Sequence, residues 1–329
     1  MIAGRKFLIT GGTGSFGRTA ARRFLDLGAA EVRVLSRDEA KQDVMRRRFS
    51  DARLTFMIGD VRDRRNVEEA AAGVDAIFHA AVLKQVPSCE DNPEQAILTN
   101  VLGSQNVLDA SVSQSVPRVV CLSTDKSVQP VNTMGMTKAL MERLVRARAR
   151  RMGAKGPIFC CVRYGNVLHS RGSVVPLFVE QATAGATLTL TDPRMTRFLI
   201  RLEDAVGLVE EALAVGESGD VFVLRSPAAT VADIAEAVRR LFRPDAGTRI
   251  IGVRPGEKIH EVLVTREELA SAEHRNSGFR LRLQSEGARP AVDDYTSENT
   301  TRLDVDGVIA LLRQIRDIRE RLGEREREG

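Results

Sequence analysis

Short apolar runs rich in branched residues recur along the first half of the chain: KFLIT from Lys6, EVRVLS from Glu31, LTFMIGD from Leu54, DAIFHAA from Asp75, RVVCLST from Arg118 and IFCCVRYG from Ile158. Helical stretches separate them. Strands alternating with helices in this way predict an α/β fold with a doubly wound parallel sheet of the Rossmann kind. Ligands of such sheets lie beyond the carboxyl ends of the strands, which singles out Gly11 to Gly17, Ser36 to Asp38, Asp60 and Val61, His79 to Lys84, Ser123 to Lys126, and Arg163 to Asn166. After Asn166 the pattern loosens into loops rich in Gly, Pro and Arg. It returns as a helix over Glu203 to Ala214 and a strand VFVLRS from Val221. The expectation is a dinucleotide-binding domain over residues 1–166, completed by about 201–226. A smaller interleaved α/β substrate lobe takes 167–200 and 227–300, and 301–329 form a C-terminal helix and tail.

At 329 residues and 43% hydrophobic content the chain can bury one or two closely packed cores. The net charge of +5 comes from arginines interleaved with acidic residues, which argues for an anion-binding cleft and against a nucleic-acid partner. The tail from Arg313, RQIRDIRERLGEREREG, reads as a mixed-charge helix that frays. Cys89, Cys121, Cys160 and Cys161 lack paired metal-ligand spacing and read as reduced, buried thiols, with no metal. The amino terminus lacks the apolar stretch of a secretory signal and no apolar run could span a bilayer, so the expectation is a cytoplasmic protein without a membrane partner.

Three loops suit a dinucleotide. ITGGTGSFGRT places Gly11, Gly14 and Gly17, with Thr13, Ser15 and Phe16 between them, where a strand opens into a helix. Such glycines let the backbone approach a pyrophosphate at the helix amino terminus. The same letters from Gly12 to Thr19 approximate a P-loop with Arg18 in place of the lysine, or a glycine turn with no ligand. In LSRDEAK, Ser36 and Asp38 end the second strand while Arg37 and Lys41 offer positive charge to a 2′-phosphate, so NADP is expected over NAD. An exposed helix cap at Ser36 or Asp38 is the other reading. Asp60 and Val61 in GDVRD would meet the adenine, or Asp60 would only cap its loop.

The ordered motifs TGGTGSFG, SRDEAKQ, GDVRD, HAAVLKQVP, LSTDKSVQPVN, MGMTK, VRYGNVLHSRGSVVPLF, TDPRMTRF and RPGEKIHE resemble the extended short-chain dehydrogenase/reductase family over nearly the whole chain. Within it the match is closest to inverting UDP-N-acetylglucosamine 4,6-dehydratases. The resemblance implies a UDP-sugar substrate, NADP and a homo-oligomer, with a hexamer among the implied assemblies. It adds Ala80, Ala81, Lys84, Asn100, Lys138, Tyr164 and Asn166 to the cofactor contacts, although Asn100 also reads as an internal hydrogen-bonding residue and His79 as a packed histidine.

The wider family carries a Y-x-x-x-K pair, whose spacing puts both groups on one helical face. Here Lys138 is present and Met134 stands where the tyrosine would. A 4,6-dehydration takes a hydride from C4 and a proton from the 4-hydroxyl, then a proton from C5, expels the C6 hydroxyl and returns the hydride to C6. It therefore needs a base and an acid side by side, and STDK supplies both. By resemblance Lys126 is the base, Asp125 the acid and Thr124 a hydrogen-bonding partner of the 4-hydroxyl. An amine desolvated beside the nicotinamide cation and Lys138 can have a lowered pKa and act as a base. Lys84, Met134, Asn166, Ser173, Val174, Arg197, Arg254 and Glu257 resemble substrate contacts, with arginine forks suited to phosphate and a carboxylate to ribose hydroxyls. Two other functions remain open: 4-epimerisation of a UDP-sugar, and a non-catalytic NADP-binding sensor.

Overall fold

A computed structural model describes residues 2–168, 170, 172–283 and 293–328. Each apolar run becomes a strand: β1 Lys6–Thr10, β2 Glu31–Ser36, β3 Leu54–Ile58, β4 Ala76–His79, β5 Arg118–Leu122 and β6 Ile158–Arg163. Helices fill the intervals: α1 Ser15–Asp26, α2 Glu39–Phe49, α3 Arg64–Ala71, the short α4 Val86–Asp91 and α5 Pro93–Ala96, then α6 Gly103–Ser113 and α7 Thr133–Met152. A π-helical turn, Ile97–Leu102, leads into α6. Parallel strands need crossovers that cover both faces, and the two faces of this sheet carry separate apolar clusters around Phe24 and Phe78 on one side and Phe159 and Val119 on the other.

Beyond β6 the elements are β7 Asn166–Val167, α8 Val174–Thr183, β8 Leu188–Leu190, β9 Thr196–Ile200, α9 Leu202–Val215, β10 Val221–Leu224, β11 Ala228–Thr230 and α10 Val231–Phe242. They continue with β12 Thr248–Ile250, β13 Val262–Val264, α11 Arg266–Leu269, β14 Glu273–Arg275, β15 Gly278–Leu281, β16 Tyr295–Thr296, α12 Val305–Leu312 and α13 Arg316–Glu328. The large sheet has the order β14-β15-β10-β6-β5-β4-β1-β2-β3. β10 joins it parallel to β6, and the antiparallel β15 and β14 follow. Residues 273–281, expected in the smaller lobe, thus lengthen the large sheet, because the fully buried β10 needs a paired neighbour on its outer side. The smaller lobe is built on the β11-β9-β7 sheet and has its own core of Phe178, Phe198's neighbour Leu199, Ile234 and Phe242. Val308, Leu312 and Ile318 belong to that core, so the carboxyl-terminal helices are anchored to it. Among the described residues no helix is long and apolar enough to cross a membrane.

Because Phe178 is fully buried in the smaller lobe's core, Phe178→Ala should cost about 3–5 kcal/mol of unfolding free energy in urea titrations. A loss under about 1 kcal/mol would contradict close packing there.

Candidate active site

The loops after β1, β4, β5 and β6 open at the carboxyl end of the sheet. Gly11, at φ +66°, donates its N–H to Leu35 O at 2.8 Å, and a Cβ there would come within 2.7 Å of Ala81 Cα. Only glycine lets the two backbones cross so closely. Ala80 and Ala81 are tied back to Thr10 through its carbonyl and hydroxyl, at 3.1 and 3.3 Å. Gly14 is the N-cap of α1 and supplies no side-chain cap; Ser15, Phe16 and Gly17 form the first turn, which holds no acidic residue. The first-turn N–H groups and the positive end of the helix dipole are thereby left for an anion. Thr13 and Ser36 join their hydroxyls at 2.8 Å beneath this loop. These residues fit a dinucleotide, with its pyrophosphate at the mouth of α1.

The charges expected around a 2′-phosphate have partners within the chain. Arg37 Nη1 lies 3.4 Å from Asp60 Oδ2, and Lys41 pairs with Asp38, which also caps α2. Asp60 accepts from Arg62 N at 2.9 Å and from Arg62 Nη2 at 2.6 Å, so it caps its own loop, as the alternative reading of GDVRD required. Burial pushes its carboxyl up, but the bonds from Arg62 and the charge of Arg37 outweigh this and hold it below the usual range. Val61 is buried and its carbonyl accepts from Asn106 at 2.9 Å.

His79 is enclosed at the end of β4, with Nδ1 bonded to Thr10 Oγ1 at 2.7 Å and Nε2 to Ser104 Oγ at 2.9 Å. Asn100 departs from its expected role as a cofactor contact. Its Nδ2 donates to Leu83 O and Thr137 Oγ1, each at 3.0 Å, and its Oδ1 accepts from Leu83 N at 2.8 Å. With both amide hydrogens engaged, it fixes the 83–84 loop against α7. Lys84 projects from that loop and is exposed.

The turn after β5 brings the expected acid and base side by side. Asp125 is fully buried; its Oδ1 accepts from Thr124 Oγ1 at 2.7 Å and from Lys126 Nζ at 3.1 Å, while Oδ2 is buried without a partner. Burial pushes the Asp125 carboxyl up, only partly countered by Lys126. The protein groups around Lys126 by themselves raise its pKa. Burial pulls the amine down, but Asp125 and Glu261, whose Oε1 is 3.4 Å away, more than offset it. Glu261 lay unremarked in RPGEKIHE.

Helix α7 sits unusually close to this turn. Asn132 caps it by accepting from Gly135 N at 2.8 Å, and a side chain at Gly135 would collide with Lys126 O. Lys138 Nζ donates to Leu122 O at the end of β5; burial lowers its pKa. One turn further, Glu142 accepts from Ser123, from Ser127 at 2.9 Å and from Arg163 Nη2 at 2.7 Å. The sequence reading missed Glu142, although it falls four residues after Lys138 and hence on its face, and placed Arg163 at a strand end without this pairing role. Met134 departs from its expected sugar contact: it is 4% exposed and packs with Cys89, Ala96, Leu83 and Val86.

From the smaller lobe, Arg197 is turned inward instead of offering its fork to phosphate. It donates to Thr196 O at 2.8 Å and Ile259 O at 3.2 Å, and Nε lies 3.8 Å from Glu261. The buried carboxylate draws it away from the surface. Tyr164 stacks on Phe16 with centroids 5.4 Å apart, and its carbonyl accepts from Asp125 N at 3.0 Å. Ser173 and Val174 start α8, with the Ser173 hydroxyl donating to Ser170 O at 2.7 Å. Arg254 is exposed; its carbonyl accepts from Glu257 N at 3.2 Å. Asn166 Oδ1, Glu257 Oε2 and Glu261 Oε2, like Asp125 Oδ2, are buried acceptors without donors. Such atoms are costly. A ligand rich in hydroxyl or amide donors would satisfy them.

The family described as polysaccharide biosynthesis protein matches residues 7–282, and its C-terminal family matches 284–319. The chain is 46% identical to a protein of Rickettsia canadensis (strain McKiel) named UDP-glucose 4-epimerase, covering 98% of this chain and 99% of that protein. It is similar to the X-ray structure of Pen from Bacillus thuringiensis, with TM-score 0.89 and 34% identity over 95% of this chain and 99% of that one. It is also similar to DesIV, a dTDP-glucose 4,6-dehydratase from Streptomyces venezuelae solved with NAD and TYD bound, with TM-score 0.70 and 26% identity over 77% and 86% of the two chains.

Burial, then the Lys138 ammonium, holds His79 at about 3 against an ordinary 6.5. Between those values the unfolded chain binds a proton that the folded one refuses. Stability should therefore fall as pH drops through that window, with a limiting slope of ~1.4 kcal/mol per pH unit from this group. Urea unfolding from pH 7 to 4 should be less pH-dependent in His79→Gln than in the wild type; equal slopes would refute the neutral, buried imidazole.

Proposed function

Because the chain belongs to the polysaccharide biosynthesis protein family, a group of extended short-chain dehydrogenase/reductase enzymes that modify nucleotide sugars, we propose that it is an NADP-dependent UDP-N-acetylglucosamine 4,6-dehydratase inverting C5. The observation that carries this reading is the Asp125–Lys126 pair. A buried carboxyl with a raised pKa and one free oxygen is suited to hold a proton for a departing C6 hydroxyl. Exchange of configuration at C4 expels no hydroxyl and needs a group only to take and return the 4-hydroxyl proton. A bound oxidised nicotinamide would supply a hydride acceptor for C4, the hydride returned to C6 after water is lost, and a positive charge that disfavours the Lys126 ammonium. Lys126 then takes the proton at C5. Thr124 orients Asp125, and Lys138, anchored on the end of β5, holds the cofactor ribose. Thr13, Gly14 and Ser15 bind the pyrophosphate, and Arg37 the 2′-phosphate. Lys84, Asn166, Ser173, Val174, Arg254 and Glu257 surround the UDP-sugar, and the protein acts as a cytoplasmic homo-oligomer.

A second reading, UDP-sugar 4-epimerase, is favoured by the name carried by the Rickettsia relatives. The two differ in product: dehydration yields a 4-keto-6-deoxy sugar lighter by one water, epimerisation an isomer of the substrate.

Incubation with UDP-N-acetylglucosamine, followed by NMR and mass spectrometry, should show the 4-keto-6-deoxy product. Asp125→Asn and Lys126→Ala should each slow its formation by ~10²- to 10⁴-fold with cofactor affinity nearly intact. Met134→Leu, which conserves volume in the Cys89–Ala96 cluster, should keep most of the rate. Near wild-type product formation by both charge variants would refute the assignment.

Wild-type protein should bind NADP more tightly than NAD by calorimetry, and Arg37→Ala should remove most of the difference. Equal wild-type affinities would exclude the NADP reading.

A further inference from the structure

Glu261 is 3% exposed, a burial that a carboxylate tolerates only with cationic or hydrogen-bonding partners. Its partners come from two different parts of the fold. Lys126 Nζ reaches Oε1 at 3.4 Å from the turn after β5, and Arg197 Nε lies 3.8 Å from the same oxygen on β9 of the smaller lobe. The backbone on either side is fixed as well. Glu261 N donates to Ser297 Oγ at 2.9 Å, Ser297 N donates to Glu261 O at 2.8 Å, and the Ser297 hydroxyl bonds to Thr196 Oγ1 at 2.6 Å. Arg197 cannot swing away without giving up the Thr196 and Ile259 carbonyls.

We propose that Glu261 is a positioning residue of this site, clamping Lys126 and Arg197 on one carboxylate so that the smaller lobe holds the reaction-centre turn in register. The proposal rests on the reading of Lys126 and Asp125 as the proton-transfer pair. Lys126 Nζ is thus held by two carboxylates, Asp125 Oδ1 at 3.1 Å and Glu261 Oε1 at 3.4 Å, while Asp125 Oδ2 stays unpartnered. The charged groups facing Lys126 are Asp125 on its own turn, Glu261 before β13, and Arg197 and Lys258 from the smaller lobe and its connecting loop. Removing the Glu261 charge leaves Asp125 against two like charges, so the amine should lose its proton at lower pH. Removing the Arg197 charge should act in the opposite sense.

The test reads Lys126 directly. Acetic anhydride acylates only the neutral amine, and peptide mass spectrometry of the full-length protein across pH gives the midpoint for Lys126. Glu261→Gln should move that midpoint down, Glu261→Asp should stay nearer to wild type, and Arg197→Gln should move it up. Turnover of UDP-N-acetylglucosamine by Glu261→Gln should fall about a hundredfold, the scale of a small misplacement of a reacting group, with its pH profile shifted in the same direction as the midpoint. The shift with no turnover of any UDP-sugar by the wild type would support the clamp and remove the dehydratase reading. An unchanged midpoint in folded Glu261→Gln would overturn the clamp whatever the turnover. Should Glu261→Gln fail to fold, Arg197→Gln decides: an upward shift supports the clamp and none overturns it.

Discussion

The Arg163 guanidinium is the interaction on which the site's geometry rests. It ends β6 and is 3% exposed. From there it donates to Glu142 on α7 at 2.7 Å, to Glu268 on α11 at 2.8 Å and to Leu263 O on β13 at 2.9 Å. One side chain thus joins the large sheet, the long helix that carries Lys138, and the chain that leads to Glu261. Burial penalises Glu142, but Arg163 and the hydroxyls of Ser123 and Ser127 keep it ionised. A buried pair of this kind adds little net stability, yet removing one partner costs about 3–5 kcal/mol because the other charge is stranded. Its effect is to fix geometry: the two serines that bond Glu142 flank Thr124, Asp125 and Lys126, so this turn is held at both ends.

The same region contrasts satisfied and unsatisfied polar groups. Behind the turn, Glu142 accepts four bonds from three partners. In front of it, Asp125 Oδ2 and Glu261 Oε2 have none, and Asn166 Oδ1 and Glu257 Oε2 repeat the pattern on neighbouring loops. Glu142 thus has its partners within the chain, whereas these four acceptors have no donor there. Met134 differs from these polar groups, since its thioether completes an apolar patch with Cys89 and Ala96.

The sheet and its crossovers were legible in the sequence. Each apolar run from KFLIT to IFCCVRYG became a strand within two residues of its reading, because a strand buried on both faces must be apolar along its length and must be followed by a covering helix. Strand ends then fixed where the glycine loop, Ser36, Asp60 and STDK would lie, since all parallel strands present the same end. Local signals served where the controlling interaction was local: Asp38 caps α2 and Asn132 caps α7.

Only the tertiary structure decided charge state and orientation. The Lys126 pKa is raised by its neighbour Asp125 and also by Glu261, 135 positions away in sequence but 3.4 Å away in space, and Arg197 Nε lies 3.8 Å from the same carboxylate. Asn100 faces Leu83 and Thr137, and residues 273–281 pair with β10. Hydrophobic period and turn chemistry act between residues close in the chain, so the sequence by itself determined the elements and the loops at their ends. Coulomb energy and desolvation depend on distance in space and on what excludes water, and these exist only after the lobes have closed around the turn.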